Sequence, residues 1–394
     1  MKIVVCHPGK QHVNALLTGL DERGVLVRFY TMFAANRFWL LRFFPKKWRG
    51  KFQKYFFKEM DDGKIVHAPA LFFLLNLMKS ELWSVRLPYE IFDRWTARRL
   101  AREDYDIVIG YENTTLATFT AAKKAGKTTV LDLAGLHHHF QNPILMAAGS
   151  YTDQRAVDFI SKKKDAALAV TDHVITLSKF GERALTGAGF PAERIHTTYL
   201  GINHAVFVPK KEYRTAADGA LNLYFVGTMS LRKGLPFAAE LVKNLRGQGL
   251  DVHLTLIGPV DDFDPGGLDA AFFRHVPFVG HAELVGLHHA LDLFIFPSNM
   301  DSWAQTVVEA MACGSPVLVS AHTGAQDAVE QGGGFVLPVG DLAAWSAAVG
   351  RFYHDRFLLK KMGERAVAIA RQYTWEAYHE QVFGAMKAVL AHKN

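Results

Sequence analysis

Two carboxylates, Asp301 and Glu309, follow an apolar, strand-like segment, Phe294–Pro297. The helical pattern runs from about Gln305 to Cys313, and we expect the helix to begin near Asp301, where its free backbone N–H groups favour a diphosphate. A carboxylate can accept hydrogen bonds from two neighbouring hydroxyls. Asp301 alone could be an ordinary helix N-cap and Glu309 an ordinary helix residue. Together they are typical of a site that binds phosphate and hydroxyl groups.

A basic pair, Arg232 and Lys233, follows the glycine turn at Gly227. Cations held beside a developing phosphate charge contribute strongly to catalysis. Taken alone, the pair could also be a solvated start of a helix. Its interpretation therefore depends on what the fold places next to it.

The first half of the chain contributes a loop, Cys6–His12, and three consecutive histidines, His137–His139. Gly9 would allow close backbone approach, but the spacing around Lys10 is not that of a P-loop. His12 could cap, pack or act. A metal site at the three histidines is possible in principle, but adjacent side chains should point in different directions. We therefore predict no metal site.

The formal net charge of +7 comes from residues 37–58, which hold eight basic residues, no acidic residue and nine aromatics. Such composition is typical of a segment that binds an anionic membrane surface. Single-stranded nucleic acid is a rival partner, but the nearby apolar stretch Ala70–Met78 favours lipid. A third reading is an aromatic-rich helix pair packed in the first domain with a basic outer face. The residues predicted to contact membrane or acceptor are Arg37, Trp39, Arg42, Lys46, Lys47, Trp48, Arg49 and Lys51.

The length of 394 residues exceeds what one hydrophobic core usually holds, so two domains are expected. Two distant cysteines, Cys6 and Cys313, offer no disulfide framework or zinc spacing, and they fit a reducing cytoplasm. The N-terminus lacks the apolar core of a signal peptide. The longest apolar stretch, Ala68–Met78, is too short to span a bilayer.

Strand-like segments alternate with helical patterns on both sides of a polar stretch, 207–221, which predicts two parallel sheets covered on both faces. We place the first domain at 1–205 and the second at 206–374, with a last helix from about 375 to 394 crossing back to the first. Ligands bind at the carboxyl ends of parallel strands, so the cleft between the domains is the expected site. The second-half strands are predicted at Leu223–Gly227, Val252–Gly258, Val276–Val279, Leu293–Pro297, Pro316–Ser320 and Phe335–Val339.

The string FIFPSNMDSWAQTVVEAMACGSPVLVS, which begins at Phe294, resembles the signature of glycosyltransferase family 4. That signature is an acidic residue, seven intervening residues and a glutamate, followed by AMACG-x-PV. FVGTMSLRKGL, from Phe225, resembles the glycine-rich turn of the same family. The resemblance implies an α/β fold of the GT-B type, with two doubly wound, Rossmann-like domains facing a central cleft. It covers the second domain strongly and the first more weakly.

The family's residue roles can be carried onto this sequence. Asp301 would bind hydroxyls of the donor sugar, and Glu309 would bind the ribose hydroxyls. Arg232 and Lys233 would hold the diphosphate, and His137 would bond a sugar hydroxyl. The predicted catalytic residues are His137, Lys233 and Asp301. The predicted donor-binding residues are Gly9, Gly227, Arg232, Lys233, Val279, Asp301, Ser302, Trp303, Ala304, Gln305 and Glu309.

The sequence departs from the family pattern at two places. The usual glutamate-Gly-aromatic-Gly is Asp301-Ser302-Trp303-Ala304 here, and Thr228 stands where many members carry an arginine. Side chains at 302 and 304 replace the hydrogens that give closest approach. These residues therefore specify the nucleotide half of the site better than the sugar half.

The resemblance implies a retaining hexosyltransferase that uses a UDP- or GDP-sugar and requires no metal or other cofactor. The expected acceptor is a glycan or a lipid-linked molecule in polysaccharide biosynthesis at the cytoplasmic face of the inner membrane, with no nucleic-acid partner. In the expected route, the acceptor attacks from the front face and the departing diphosphate takes its proton. The alternatives are another GT-B enzyme, an epimerase or phosphorylase, and a non-catalytic, membrane-bound scaffold.

Overall fold

The computed structural model describes residues 1–9, 12–43, 52, 55–57, 60–77, 81–149, 153–215 and 219–391. Two parallel β-sheets run through these residues, as the alternating pattern predicts. β7 ends at Thr197 and β8 begins at Leu221. The boundary near residue 205 stays a prediction that lies between them.

The first sheet has the strand order β3-β2-β1-β4-β5-β6-β7, with every pair parallel. The order reverses between β1 and β4, and crevices at such reversals bind ligands. Its strands are β1 Ile3–Cys6, β2 Leu26–Thr31, β3 Ile65–His67, β4 Ile107–Tyr111, β5 Thr128–Leu133, β6 His173–Thr176 and β7 Ile195–Thr197. Its helices are α1 Val13–Glu22, α2 Pro69–Leu77, α3 Glu81–Leu100, α4 Leu116–Lys124, α5 His138–Ala147, α6 Gln154–Ala169 and α7 Lys179–Gly187.

The second sheet has the order β10-β9-β8-β11-β12-β13, again parallel, and reverses between β8 and β11. Both strands at this reversal are almost entirely buried, which explains their near-continuous apolar sequences. The strands are β8 Leu221–Val226, β9 Val252–Ile257, β10 Phe273–Val276, β11 Leu293–Phe296, β12 Val317–Ser320 and β13 Gly334–Leu337. The helices are α8 Leu235–Gly247, α9 His281–Ala290, α10 Gln305–Ala312, α11 Gln326–Val329, α12 Leu342–His354 and α13 Phe357–Ala370.

Two predicted boundaries are wrong. β10 ends at Val276 rather than spanning Val276–Val279, because Pro277 has no N–H to donate to a ladder. α10 begins at Gln305, as the helical pattern from about Gln305 to Cys313 predicts, so the expected start near Asp301 is wrong. Its N-cap is Ala304, whose left-handed conformation (φ +62°) keeps the preceding residues out of the helix.

The last helix, α14 Trp375–Ala391, packs against α1 in the first half of the chain. A Cβ added to Gly19 of α1 would lie 2.7 Å from the His379 ring, so the two helices are in close contact. The Thr374 hydroxyl accepts a hydrogen bond from the Ala377 N–H at 3.0 Å and so caps α14. The chain thereby returns from the second sheet to the first.

The basic, aromatic window is described only in part. Lys46, Lys47, Trp48, Arg49 and Lys51 lie outside the described residues, as does the side chain of Arg42. Phe57 is buried, and Phe38, Phe52, Tyr55 and Phe56 pack against the core cluster of the first sheet. Trp39 and Phe43 are instead 62% and 68% exposed. Across the described ranges, no helix is both long and apolar enough to cross a bilayer.

Candidate active site

The Lys233 ammonium and the Asp301 carboxylate form a largely buried ion pair, with Nζ 2.5 Å from Oδ2. Arg232 approaches the same oxygen at 3.6 Å and donates to the Met300 carbonyl at 3.1 Å. A Cβ on Gly234 (φ +70°) would lie 2.0 Å from the Pro297 carbonyl oxygen. This close approach presses the Arg-Lys turn against the end of β11, and only glycine allows it.

Lys233 and Asp301 each shift the pKa of the other. Burial alone would raise the pKa of Asp301, but Lys233, with smaller contributions from Arg232 and the Trp303 N–H, lowers it below its ordinary value. Burial lowers the pKa of Lys233, and the attraction of Asp301 opposes that change. Each partner thus favours the charged form of the other against the cost of burial. A phosphate that binds Lys233 must compete with Asp301.

The loop after Asp301 is held in an unusual backbone conformation. Ala304 has φ +62°, a region that favours glycine, and no side chain caps the N-terminus of α10 that follows. The Trp303 ring is buried between Tyr199 and Tyr373, with ring centroids 5.2 Å from each. Ser302 and Gln305 are half-buried. This left-handed backbone is a physical reason for the glycine that the family pattern has at the position of Ala304.

Replacing Ala304 with glycine is expected to raise the free energy of unfolding by about 0.5–1 kcal/mol, because it removes the left-handed strain. Urea denaturation would measure the change. The control is Ala347→Gly, at an exposed position in α12, which should lose about 1 kcal/mol. A loss of stability in both variants would contradict the assigned conformation.

Glu309 lies one turn along α10 from Gln305, so the two side chains share a face of the helix. Among the residues that the structure describes, its carboxylate has no hydrogen-bond or ion-pair partner. Burial raises the pKa of Glu309 to about 7. The partly shielded Glu309 carboxylate is therefore suited to accept hydrogen bonds from a ligand that carries the donors.

Glu309→Gln is expected to stabilise the unliganded protein above pH 7. A raised folded-state pKa contributes stability below the unfolded value of 4.5, and that contribution is lost as pH rises through about 7. The gain should be about 1–2 kcal/mol at pH 8, allowing for solvent screening, and small at pH 5. Melting temperatures at both pH values would measure it. Glu330→Gln, at an exposed position, is the control. An equal shift in its melting temperature would argue against the raised pKa of Glu309 as the cause.

Two buried histidines lie at the carboxyl end of β1. The Gly9 N–H approaches His7 Nδ1 at 3.1 Å, and a Cβ on Gly9 would meet open space. His12 Nε2 lies 2.8 Å from Asp132 Oδ2, and both side chains are almost fully buried. Burial lowers the pKa of His12, but Asp132 outweighs it, so the pKa is raised. Asp132 was not among the predicted site residues, although a lone charge inside the apolar strand β5 is a signal for it.

His137 is the N-cap of α5, and its Nδ1 accepts a hydrogen bond from the His139 N–H at 3.3 Å. Burial, with the neighbouring His138, lowers the pKa of His137 to about 4. The expectation that the three histidines diverge is wrong, since one ring nitrogen of each lies within 4.8 Å of the other two. The N-cap side chain folds back over the first turn of α5, which brings the rings together.

Both halves of the chain meet at the Asp301 loop. Ser178 Oγ donates to the Ser302 carbonyl at 2.7 Å, and the Lys179 N–H donates to Asp327 Oδ2 at 2.7 Å. Leu136 and Met300 share one apolar cluster, and their neighbours in sequence are His137 and Asp301. The structure therefore brings predicted site residues of both halves to one region.

The remaining predicted positions lie in segments that follow strands of the second sheet. Gln305 Nε2 donates to the Gly201 carbonyl at 3.2 Å, which is another contact between the halves. Gly227 follows β8, and a Cβ on Gly258 would lie 2.0 Å from its carbonyl oxygen. Val279 lies in the turn between β10 and α9. Ser178 and Asp327 were not among the predicted site residues, and an N-cap serine such as Ser178 is common.

Solved structures define the class of fold. Sucrose-phosphate synthase from Thermosynechococcus elongatus is 17% identical with a TM-score of 0.68, and each chain is fully covered. Anabaena HepE in complex with UDP is 16% identical with a TM-score of 0.65, covering 98% of this chain and 100% of that one. The fold is α/β of the GT-B type, with two Rossmann-like sheets.

Family comparisons identify the lineage. Residues 9–206 match the family described as Glycosyltransferase Family 4, and residues 220–355 match Glycosyl transferases group 1. The chain belongs to glycosyltransferase family 4, which confirms the resemblance read from the motifs.

Curated relatives are similar over part of their length. A D-inositol 3-phosphate glycosyltransferase of Arthrobacter sp. (strain FB24) is 29% identical over 208 residues, 46% of this chain and 49% of the relative. The O-antigen chain mannosyltransferase B of Escherichia coli is 25% identical over 273 residues, 63% and 69% of the two chains. The matched region spans about half the length of the first of these relatives.

Proposed function

We propose that the protein transfers a hexose from a UDP- or GDP-sugar to a glycan or lipid-linked acceptor, with retention at the anomeric carbon and no required metal. The observation that carries this is the buried Lys233–Asp301 pair beside the uncapped N-terminus of α10. Two cations lie at Asp301, four residues before the start of α10, and a diphosphate is bound by cations and free backbone amides. A relative named as a mannosyltransferase and neighbours bound to UDP and UDP-glucose support a nucleotide-sugar donor.

The donor would lie across the second sheet's carboxyl edge. The diphosphate takes Lys233 and Arg232, and Glu309 accepts the two ribose hydroxyls. The turn at Val279 provides an edge for the base. Asp301, released from Lys233, accepts hydroxyls of the sugar. Donor binding thus replaces one ion pair with two separate sets of hydrogen bonds.

In the transfer step, the acceptor oxygen bonds to the anomeric carbon as the bond from that carbon to the diphosphate oxygen breaks. The acceptor's proton passes to the departing diphosphate oxygen on the same face. Lys233 and Arg232 stabilise the charge that develops there. His137, kept neutral by its low pKa, bonds a sugar hydroxyl and orients the donor.

Binding and turnover of UDP- and GDP-sugars test this assignment. Lys233→Ala should weaken nucleoside diphosphate binding at least about tenfold and lower kcat by about 10²–10³. Asp301→Asn should retain nucleoside diphosphate binding, because Lys233 is released, while transfer falls. Glu309→Gln should weaken binding of the nucleotide. Calorimetry and a donor-hydrolysis screen would measure these effects.

The matched control is Lys360→Ala, which replaces an exposed lysine of α13 that pairs with Glu364. It should leave binding and turnover unchanged. Absence of binding to both UDP and GDP, or equal effects of Lys233→Ala and the control, would refute the enzyme assignment. Release of a sugar phosphate or an epimerised nucleotide sugar would indicate another GT-B chemistry.

We further propose that the protein associates with the cytoplasmic face of the inner membrane through residues 37–51. The exposed Trp39 and Phe43, with the basic residues of this window, support it. Among the described aromatics of this window, Trp39 and Phe43 are the exposed ones, since the others are buried or pack against the core. The surface would lie close to a lipid-linked acceptor.

Flotation with anionic liposomes tests this surface. Trp39→Ala with Phe43→Ala should reduce bound protein severalfold, and changing Lys46, Lys47, Arg49 and Lys51 to Glu should abolish binding. Phe357→Ala, at an equally exposed phenylalanine of α13, is the control and should float like the wild type. Flotation that none of these changes affects would contradict the proposal.

A further inference from the structure

The three histidines at the start of α5 form a compact cluster within the described part of the chain. One ring nitrogen from each of His137, His138 and His139 lies within 4.8 Å of the other two. The His137 and His138 rings are buried, whereas the His139 side chain is 58% exposed. The cap of α5 uses one imidazole, that of His137, whereas three imidazoles lie together here.

We propose that this cluster binds a divalent late transition metal such as Zn²⁺, and that the bound metal blocks the donor-sugar position. The proposal that the metal blocks the donor sugar rests on the proposed role of His137 in donor binding. The metal is an inhibitor and not a cofactor, so the site is compatible with metal-independent transfer.

The donor set fits such an ion. Imidazole nitrogen is a preferred ligand of Zn²⁺, Ni²⁺ and Cu²⁺, and Zn–N distances are about 2.0–2.1 Å. A tetrahedral ion then needs nitrogens roughly 3.4 Å apart. The nitrogens lie within 4.8 Å of one another and must therefore approach by at most about 1.4 Å, and the exposed His139 side chain has room to rotate. The fourth position stays open to water.

A second observation points to a ligand. His138 is 1% exposed, and its Nδ1 has no hydrogen-bond partner among the described residues. A buried, unpaired polar atom is costly, and metal coordination would satisfy it. This orphaned atom belongs to the most deeply buried ring of the cluster.

Asp165 supplies the outer shell that metal-binding histidines usually have. Its Oδ1 lies 2.9 Å from His138 Nε2, and its Oδ2 lies 3.4 Å from His139 Nε2. A carboxylate at Nε2 holds the proton there and leaves the lone pair on Nδ1. One carboxylate thereby orients two of the three ligands.

The test is titration of the tag-free, full-length protein with Co²⁺, followed by its visible absorption, and competition with Zn²⁺. The wild type should bind one equivalent with a tetrahedral-type band. His139→Ala should weaken binding at least tenfold, and Asp165→Asn about 10–100-fold. His196→Ala, which alters a histidine outside the cluster, should bind like the wild type. Absence of the band, or equal binding by His139→Ala, would overturn the site.

A transfer assay tests the blocking part separately. Zn²⁺ should inhibit the wild type, and a chelator should restore activity. His139→Ala should keep transfer and escape inhibition; equal inhibition of this variant would overturn the blocking role. Metal binding without any nucleotide-sugar binding would leave the metal site standing and refute the proposed function.

Discussion

The second half of the structure is organised around the buried pair of Lys233 and Asp301. Two buried charges are tolerated only when they face each other, and removing one partner of such a pair typically costs about 3–5 kcal/mol. β8 and β11 are neighbours at the reversal of strand order, so the turns that follow them are adjacent. Gly234 then lets the turn before α8 reach the end of β11. The pair therefore fixes two loops that are about 70 residues apart.

The same loop also depends on the first half of the chain. Ser178 caps α7 through the Gly181 N–H and at the same time donates to the Ser302 carbonyl. Asp327 accepts from the first amide of α7, where the helix dipole favours a negative charge. Gly324 has to be glycine, because a Cβ there would lie 1.9 Å from the Ser302 oxygen. The candidate site is thus built by contacts from both sheets.

Several groups in this region are held in states that cost stability. Among the described residues, Glu309 is shielded without a partner, Ala304 is in a left-handed conformation, and His138 has an unpaired nitrogen. Such costs persist where the surrounding structure enforces them, and they concentrate at functional sites. Two of these groups, Glu309 and Ala304, belong to the proposed donor site. Their placement favours ligand binding over maximal stability of the unliganded chain.

The sequence alone determined the two parallel sheets and the carboxylate pair with its Arg-Lys turn, because these are local: apolar strands, helix periodicity and short motifs. The sequence could not determine which charges meet, since only the order of the strands in the folded sheet brings Lys233 next to Asp301. The helical pattern located α10 from about Gln305, but the expected start near Asp301 was too early, because a left-handed alanine has no signal in composition. The convergence of His137, His138 and His139 depended on a cap folding back, and the contacts of Ser178 and Asp327 on the docking of two sheets. Those are properties of tertiary packing, which brings together atoms that the linear order keeps apart.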